Sequence, residues 1–233
     1  MKIGLFGYGK MGKMIERIAT ERGHTIVAKI DLENTNIPFE AMDVAIDFST
    51  PDSAFGNITS CFKNKVPVIS GTTGWLDQYD EAIKICKDQQ SAFIYASNFS
   101  LGVNVFFELN AYLAKMMKGL NQYNVELEEI HHTQKLDAPS GTAISLAEGI
   151  VDHSNYSGWV LDKKAENSIT INSKREGSVP GTHTISYGSQ VDEIQIKHTA
   201  HNREGFALGA VIAAEWIQGK TGVFSMKDVL NLT

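Results

Sequence analysis

The sequence predicts an α/β protein in two parts, a parallel sheet covered by helices and then an α+β region with a mostly antiparallel sheet. Short β-branched runs alternate with amphipathic helical stretches through the first half. A glycine-rich turn joins the first strand to the first helix. After about residue 100 the rhythm changes, and strands follow one another through Gly- and Pro-containing turns.

In the first part the expected strands are Lys2 to Phe6, Thr25 to Ile30, Asp43 to Phe48, Pro67 to Ser70 and Ala92 to Ala96. Helices are expected near Met11 to Arg22, Asp52 to Asn64 and Leu76 to Gln89, crossovers long enough to join parallel neighbours. A longer helix, Leu101 to Lys118, precedes an alternating strand, Tyr123 to Ile130, and a helix from Gly141 to Val151. Three further strands, Ser168 to Arg175, His183 to Tyr187 and Val191 to His198, read as an antiparallel meander. The last helix, Glu204 to Gln218, is apolar at Phe206, Ala207, Ala210, Val211, Ala214 and Ile217, a stripe suited to pack back on the first sheet.

With 233 residues, 42% of them hydrophobic, the chain can bury a real core. A net charge of -6 and scattered Lys and Arg exclude a nucleic-acid partner, because nothing tracks a phosphate backbone. No run approaches the roughly 20 apolar residues that span a bilayer. Met1-Lys2 leads straight into a strand without a signal-peptide pattern, so a cytoplasmic location away from membranes is expected. Cys61 and Cys86 sit in helical stretches without metal-ligand spacing and are read as two reduced, buried thiols.

Gly7-Tyr8-Gly9-Lys10-Met11-Gly12 follows a strand and opens a helix, where glycines allow backbone to approach a pyrophosphate and the helix N-terminus supplies N–H donors. Asp31 ends the second strand 19 residues after Gly12, placed to accept hydrogen bonds from the ribose hydroxyls of an adenosine. The first part therefore reads as a Rossmann-like nucleotide domain. An acid there repels a 2′-phosphate, and Leu32-Glu33-Asn34 adds no basic residue, so NADH is preferred and NADPH remains a possible cofactor. The other strands also end in small or polar residues, with Ser49 after the third, Gly71, Thr72 and Thr73 after the fourth, and Ala96, Ser97, Asn98 and Phe99 after the fifth. Ligands of open parallel sheets bind outside the carboxyl ends of the strands, so these residues complete the expected cofactor set. Taken singly, each segment also reads as a turn or a helix cap.

The densest polar cluster is EEIHHTQKLDAPSGT, residues 128 to 142, which starts on a strand and ends at a helix start. A histidine exchanges protons near neutrality, and the Lys135 ammonium suits a carboxylate. Pro139-Ser140-Gly141-Thr142 presents N–H groups and a hydroxyl at a helix N-terminus, an anion site, although Ser140 also reads as a plain N-cap. On a continued strand His131 and His132 point to opposite faces. No metal site is expected from His131, His132 and Asp137, since adjacent histidines rarely reach one ion.

HHTQKLDAPSGTA at 131 to 143, with GYGKMG at 7 to 12, DFST at 47 to 50, GTTG at 71 to 74 and ASNFSLGVN at 96 to 104, closely resembles the dihydrodipicolinate reductase family. REGSVPGTH at 175 to 183 and HTAHNREGFALGA at 198 to 210 extend the resemblance over essentially the whole chain. It implies NAD(P)H-dependent reduction of 4-hydroxy-tetrahydrodipicolinate, a small cyclic dicarboxylate of lysine and diaminopimelate biosynthesis, by a homotetramer. It also implies His131 as general acid/base, Lys135 as proton donor, and His132, Gly141 and Thr142 as substrate-binding residues. For both histidines to meet substrate, the strand has to end or twist at His131. Two departures stand out: the family often has one more residue in the first loop, and often a basic residue after the acid where Leu32 stands here.

The expected domains are residues 1–100 with 204–233, binding dinucleotide, and 101–203, binding substrate and forming the oligomer. Two competing readings are an NAD-dependent dehydrogenase of aspartate or a diamino acid, and a non-catalytic NADH-sensing module. The first leaves Lys135 and the DAPSGT segment unexplained. The second leaves His131 and Lys135 without a purpose.

Overall fold

The computed structural model describes residues 1–31 and 37–232. The first elements are β1 (Lys2–Phe6), α1 (Lys10–Glu21), β2 (Thr25–Ile30), β3 (Val44–Asp47), α2 (Pro51–Lys63), β4 (Val68–Ser70), α3 (Tyr79–Asp88) and β5 (Ala92–Tyr95). Next come α4 (Leu101–Met117), β6 (Asn124–His131), α5 (Gly141–Val151), β7 (Gly158–Leu161), β8 (Ser168–Arg175), β9 (Gly181–Gly188) and β10 (Glu193–Ala200). The chain closes with α6 (Glu204–Trp216), β11 (Gly222–Phe224) and α7 (Met226–Leu230). These elements form two compact units, Met1–Leu101 with Glu204–Thr233, and Gly102–Arg203.

The first unit is a doubly wound, Rossmann-like sheet of six parallel strands in the order β11-β5-β4-β3-β1-β2. Alternation along the strands divides its core. Ile3, Leu5, Val44 and Ile46 face α1 and α6, whereas Phe6, Ala45 and Val68 face α2 and α3. The expected stripe packs on this sheet through Ala207, Ala210, Val211 and Ala214 of α6 and Ile217 just past its end, while Phe206 stays half-buried outside that core. Cys61 and Cys86 are free thiols buried on the α2 and α3 side. Strand order reverses between β1 and β3, and at such a switch point the loops diverge and leave a crevice.

The second unit packs α4 and α5 on a five-stranded sheet, β10-β9-β6-β8-β7. Its sheet is mixed: β9 runs antiparallel to β6 and β10, while β6, β8 and β7 are mutually parallel. The meander expected from the sequence is thus replaced by a sheet in which β6 lies between β8 and β9. The residues between β8 and β9 pass over the end of β6 instead of forming a hairpin, with Glu176 N–H donating to the His131 carbonyl at 2.7 Å. A link of five residues reaches across one intervening strand, roughly 10 Å, so its shortness does not dictate pairing. Strands β7 and β11 and helix α7 escape sequence reading because three to five residues carry no usable period. Among the described residues no helix is long and apolar enough to cross a membrane.

Gly209 of α6 shows how tightly the first unit closes, since a Cβ there would lie 1.7 Å from the Phe99 carbonyl oxygen. Gly to Ala inside a helix ordinarily adds up to ~1 kcal/mol of stability. At this backbone contact the sign reverses, and Gly209→Ala is expected to lose about 1–3 kcal/mol in urea denaturation.

Candidate active site

The crevice at the β1/β3 switch point is a cleft of 420 Å³ lined by Gly7, Tyr8, Gly9, Asp31, Phe48, Ser49 and Asn57, among others. Its glycines have separate reasons. Gly7 sits at φ +86, where a Cβ would meet the Phe48 carbonyl oxygen at 2.2 Å, and a Cβ on Gly12 would meet the Gly7 carbonyl oxygen at 2.3 Å. Gly9, the N-cap of α1, has nothing within 4 Å of its Cβ position and no side-chain cap, so the helix start opens on the cleft. These residues fit a dinucleotide: Gly7 and Gly12 let the turn pack tightly on its own backbone, the open face at Gly9 leaves room for a pyrophosphate, and the first turn of α1 has N–H groups that no side chain caps. The Tyr8 hydroxyl donates to Glu16, which also pairs with Lys29 at 2.7 Å.

A buried acid ties the strand ends of this unit together. Asp47, the last residue of β3, accepts hydrogen bonds from Ser49 Oγ at 2.6 Å, Thr72 Oγ1 at 2.7 Å, Ser70 Oγ at 3.0 Å and Asn57 Nδ2 at 3.2 Å. Burial pushes its carboxyl above the usual range, and the four hydrogen bonds oppose that. The Thr72 hydroxyl is committed to Asp47 and to the Ser49 N–H, while Thr73 is exposed. Gly71 lies against the Phe48 ring, where a Cβ would come within 2.3 Å.

The other expected cofactor residues are placed less directly. Lys10, Met11 and Gly12 open α1 beside the cleft without lining it, and Gly71, Thr72, Thr73, Ala96, Ser97, Asn98 and Phe99 follow β4 and β5 further along the same sheet edge. Asn98 Oδ1 accepts from Ser100 N–H at 2.9 Å, while the Phe99 side chain is buried in the core. Leu32, Glu33 and Asn34, on which part of the cofactor argument rests, lie outside the described residues.

In the second unit the chemistry gathers at the end of β6. Val125, Leu127, Glu129 and His131 alternate onto its buried face, and the first two enter the core. Glu129 is wholly buried, and register sets Ser173 of β8 and His183 of β9 directly beside it. Its carboxylate accepts from Ser140 N–H at 3.1 Å and from Ser173 Oγ, and Arg175 Nη2 stands 3.3 Å away. Burial alone would raise this carboxyl, but His131 and the donors from Ser140 and Ser173 outweigh it and hold Glu129 well below the usual carboxylate range. His131 is 8% exposed, with Nδ1 3.2 Å from Glu129 Oε2 but off the line of a hydrogen bond. Its ring meets that of His183 edge-on at 5.2 Å. Burial, then the neighbouring His131, push His183 down to about 4, so it is neutral near pH 7.

Strand β6 ends at His131, and the chain turns at once, with Lys135 N–H donating to the His132 carbonyl at 3.0 Å. That resolves the opposite-face conflict, because His132 is already outside the strand. Arg175 anchors this turn, donating to the Asp137 carbonyl at 2.6 Å and the Lys135 carbonyl at 3.3 Å. The Lys135 ammonium is gripped by both Asp137 oxygens, at 2.7 and 2.8 Å. Ser140 is the N-cap of α5, its Oγ accepting from Ala143 N–H at 3.2 Å, so Gly141 and Thr142 form the first turn of that helix. Glu129, His131 and His183 offer ligand-type atoms within 4.8 Å of one another. With its oxygens facing Ser140, Ser173 and Arg175, Glu129 is arranged to accept hydrogen bonds from protein donors rather than to ligate a metal ion.

His131, His132, Lys135, Gly141 and Thr142 thus fall on one strand–turn–helix segment, and beside it lie Glu129, Ser173, Arg175 and His183, which sequence reasoning left without roles. One signal was available for Glu129: it shares the period of Val125 and Leu127, and an acid on a core face needs partners. His183 and Arg175 carried none, since their positions depend on strand pairing.

Residues 1–99 match the family model described as dihydrodipicolinate reductase, N-terminus, and residues 102–230 the one described as dihydrodipicolinate reductase, C-terminus. A 4-hydroxy-tetrahydrodipicolinate reductase of Christiangramia forsetii is 60% identical, the match covering 99% of this chain and 98% of that one. The solved dipicolinate-bound dihydrodipicolinate reductase of Paenisporosarcina sp. TG-14 superposes with a TM-score of 0.81 at 23% identity, over 97% of each chain. Aspartate dehydrogenase of Thermotoga maritima shares the fold alone, with a TM-score of 0.52 at 14% identity over 96% of this chain and 99% of that one.

A carboxylate depressed on folding stabilises the protein above its unfolded pKa and loses that contribution as pH falls toward the folded value. In urea denaturation the stability difference between wild type and Glu129→Gln is expected to shrink from about pH 5 to about pH 3. A difference constant over that interval contradicts the assignment of an ionised Glu129.

Proposed function

The chain belongs to the dihydrodipicolinate reductase family, oxidoreductases of lysine and diaminopimelate biosynthesis, and from that premise we propose how its residues reduce 4-hydroxy-tetrahydrodipicolinate to tetrahydrodipicolinate. The observation that carries the reading is the grouping of a buried histidine, an anionic partner, a lysine and a helix N-terminus within one strand–turn–helix segment.

The substrate brings two carboxylates and, once water is lost, a conjugated cyclic imine. The N–H groups of Gly141 and Thr142 at the start of α5, with His132, bind one carboxylate, and Lys135 exchanges Asp137 for the other. When bound, the nicotinamide supplies the hydride. Hydride addition leaves carbanion character on the ring, and His131 delivers the proton that quenches it, with Lys135 as second donor.

Gly7 to Gly12 would hold the pyrophosphate, Asp31 the adenosine ribose, and the ends of β3, β4 and β5 (Ser49, Gly71 to Thr73 and Ala96 to Phe99) the rest of the cofactor. NADH is the preferred donor. Asp31 lines the cleft, and Lys29, two residues earlier, is engaged by Glu16 and so does not offset it. The enzyme works in the cytoplasm as a homotetramer. An apolar stripe on α4, with Leu109 52%, Tyr112 63% and Met116 54% exposed, supports association of copies.

Purified protein given freshly generated substrate should oxidise NADH. Protein that binds NADH but leaves this substrate untouched removes the assignment. The double variant His131→Ala, Lys135→Ala is expected to lose at least ~10²-fold in kcat while binding NADH as before, by fluorescence titration. Asp31→Ala should lower the ratio of kcat/KM with NADH to that with NADPH by about tenfold, the loss of one charge-assisted contact; an unchanged ratio places the discrimination elsewhere.

A further inference from the structure

We propose that Glu129 is the positioning residue of this site: its carboxylate sets the tautomer and orientation of the His131 ring, so that Nδ1 is turned inward and Nε2 is the nitrogen available for proton transfer. The proposal rests on the reading of His131 as proton donor. Three observations carry it.

The carboxylate sits among donors. Ser140 N–H, at the N-cap of α5, and Ser173 Oγ and Arg175 Nη2, both on β8, all address it. This arrangement fits an anion, and an anion next to an imidazole accepts from its N–H. The residue is fully buried, and apolar packing would fill such a place at lower desolvation cost.

The two nitrogens of His131 face different surroundings. Nδ1 is buried, lies 3.2 Å from Glu129 Oε2 and has no hydrogen-bond partner among the described residues; a small ring rotation completes the bond to Glu129, as catalytic hydrogen bonds often tighten only around substrate. Nε2 lies on the other edge of the ring, 3.1 Å from the Cβ position of Gly181, so any side chain there would crowd it. A ring nitrogen fixed by an acceptor on one side leaves the other as the working atom.

Charge around the pair is balanced without competing for Nδ1. His183, edge-on to His131, turns its Nε2 to Ser140 Oγ at 3.2 Å, while Arg175 reaches the other Glu129 oxygen. Lys135 is paired with Asp137 on the turn. Among the described residues, Glu129 is the acid within ion-pair distance of His131 Nδ1, with the His183 ring edge-on to it, Arg175 on the other Glu129 oxygen and Lys135 on Asp137.

The test is Glu129→Gln in the full chain, read by ¹⁵N NMR of the histidine side chains and by steady-state kinetics. In the wild type His131 should be protonated at Nδ1 in its neutral form. The variant should lose that tautomer preference, and kcat should fall at least about tenfold with KM for dinucleotide and substrate within about twofold. Should Glu129→Gln fail to fold, Ser173→Ala removes one of the hydrogen bonds that hold the carboxylate, and a smaller change in the same two readouts is expected. A folded Glu129→Gln with wild-type kcat and an unchanged His131 tautomer overturns the proposal. If His131→Ala is inactive while Glu129→Gln is fully active, only the positioning role fails; if His131→Ala keeps full turnover, the proton-donor reading fails and this role with it.

Discussion

A carboxylate sealed from water has to be met by donors on every side, and Glu129 imposes that demand on most of the second unit. Ser173 and His183 reach it through strand register, Ser140 through the cap of α5, and Arg175 from the end of β8. Satisfying one acid therefore fixes where β6, β8, β9 and α5 come together. The turn bearing His132 and Lys135 starts where this strand stops, and Arg175 grips the same turn by its carbonyls. Removing a partner of a buried charge commonly costs about 3–5 kcal/mol, so stability and site geometry depend on the same contacts.

The first unit solves a related problem differently. Asp47 also ends a strand and is also buried, but its partners are hydroxyls and an amide from the end of β4 and from the segments that follow β3 and β4. No cationic side chain is among those hydrogen-bond donors, and burial pushes this carboxyl up where Glu129 is held down. The contrast suits their placing. Asp47 ties together the loops at the strand ends of the first unit, while Glu129 stands beside the His131 ring.

Much of this was legible in the sequence for physical reasons. Strands rich in β-branched and apolar residues read clearly, so β1 and β2 match their expected limits, and Gly7-x-Gly9-x-x-Gly12 marks the turn that joins β1 to α1. The α5 start was visible as a Ser cap before an apolar helix. What escaped was pairing. Whether β8 neighbours β9 or β6 depends on contacts between segments far apart in the chain, and with that went the roles of Ser173, Arg175 and His183. Glu129 was within reach of a period-two reading, but its partners were not.

The most direct measurement is a crystal structure of the protein with a planar pyridine dicarboxylate. His131, Lys135 and the start of α5 predict one ligand carboxylate on the N–H groups of Gly141 and Thr142, the other on the Lys135 ammonium, and His131 Nε2 toward the ring. A ligand held elsewhere, with Lys135 still closed on Asp137 and His131 presenting Nδ1, would contradict both the substrate site and the direction in which its proton is delivered.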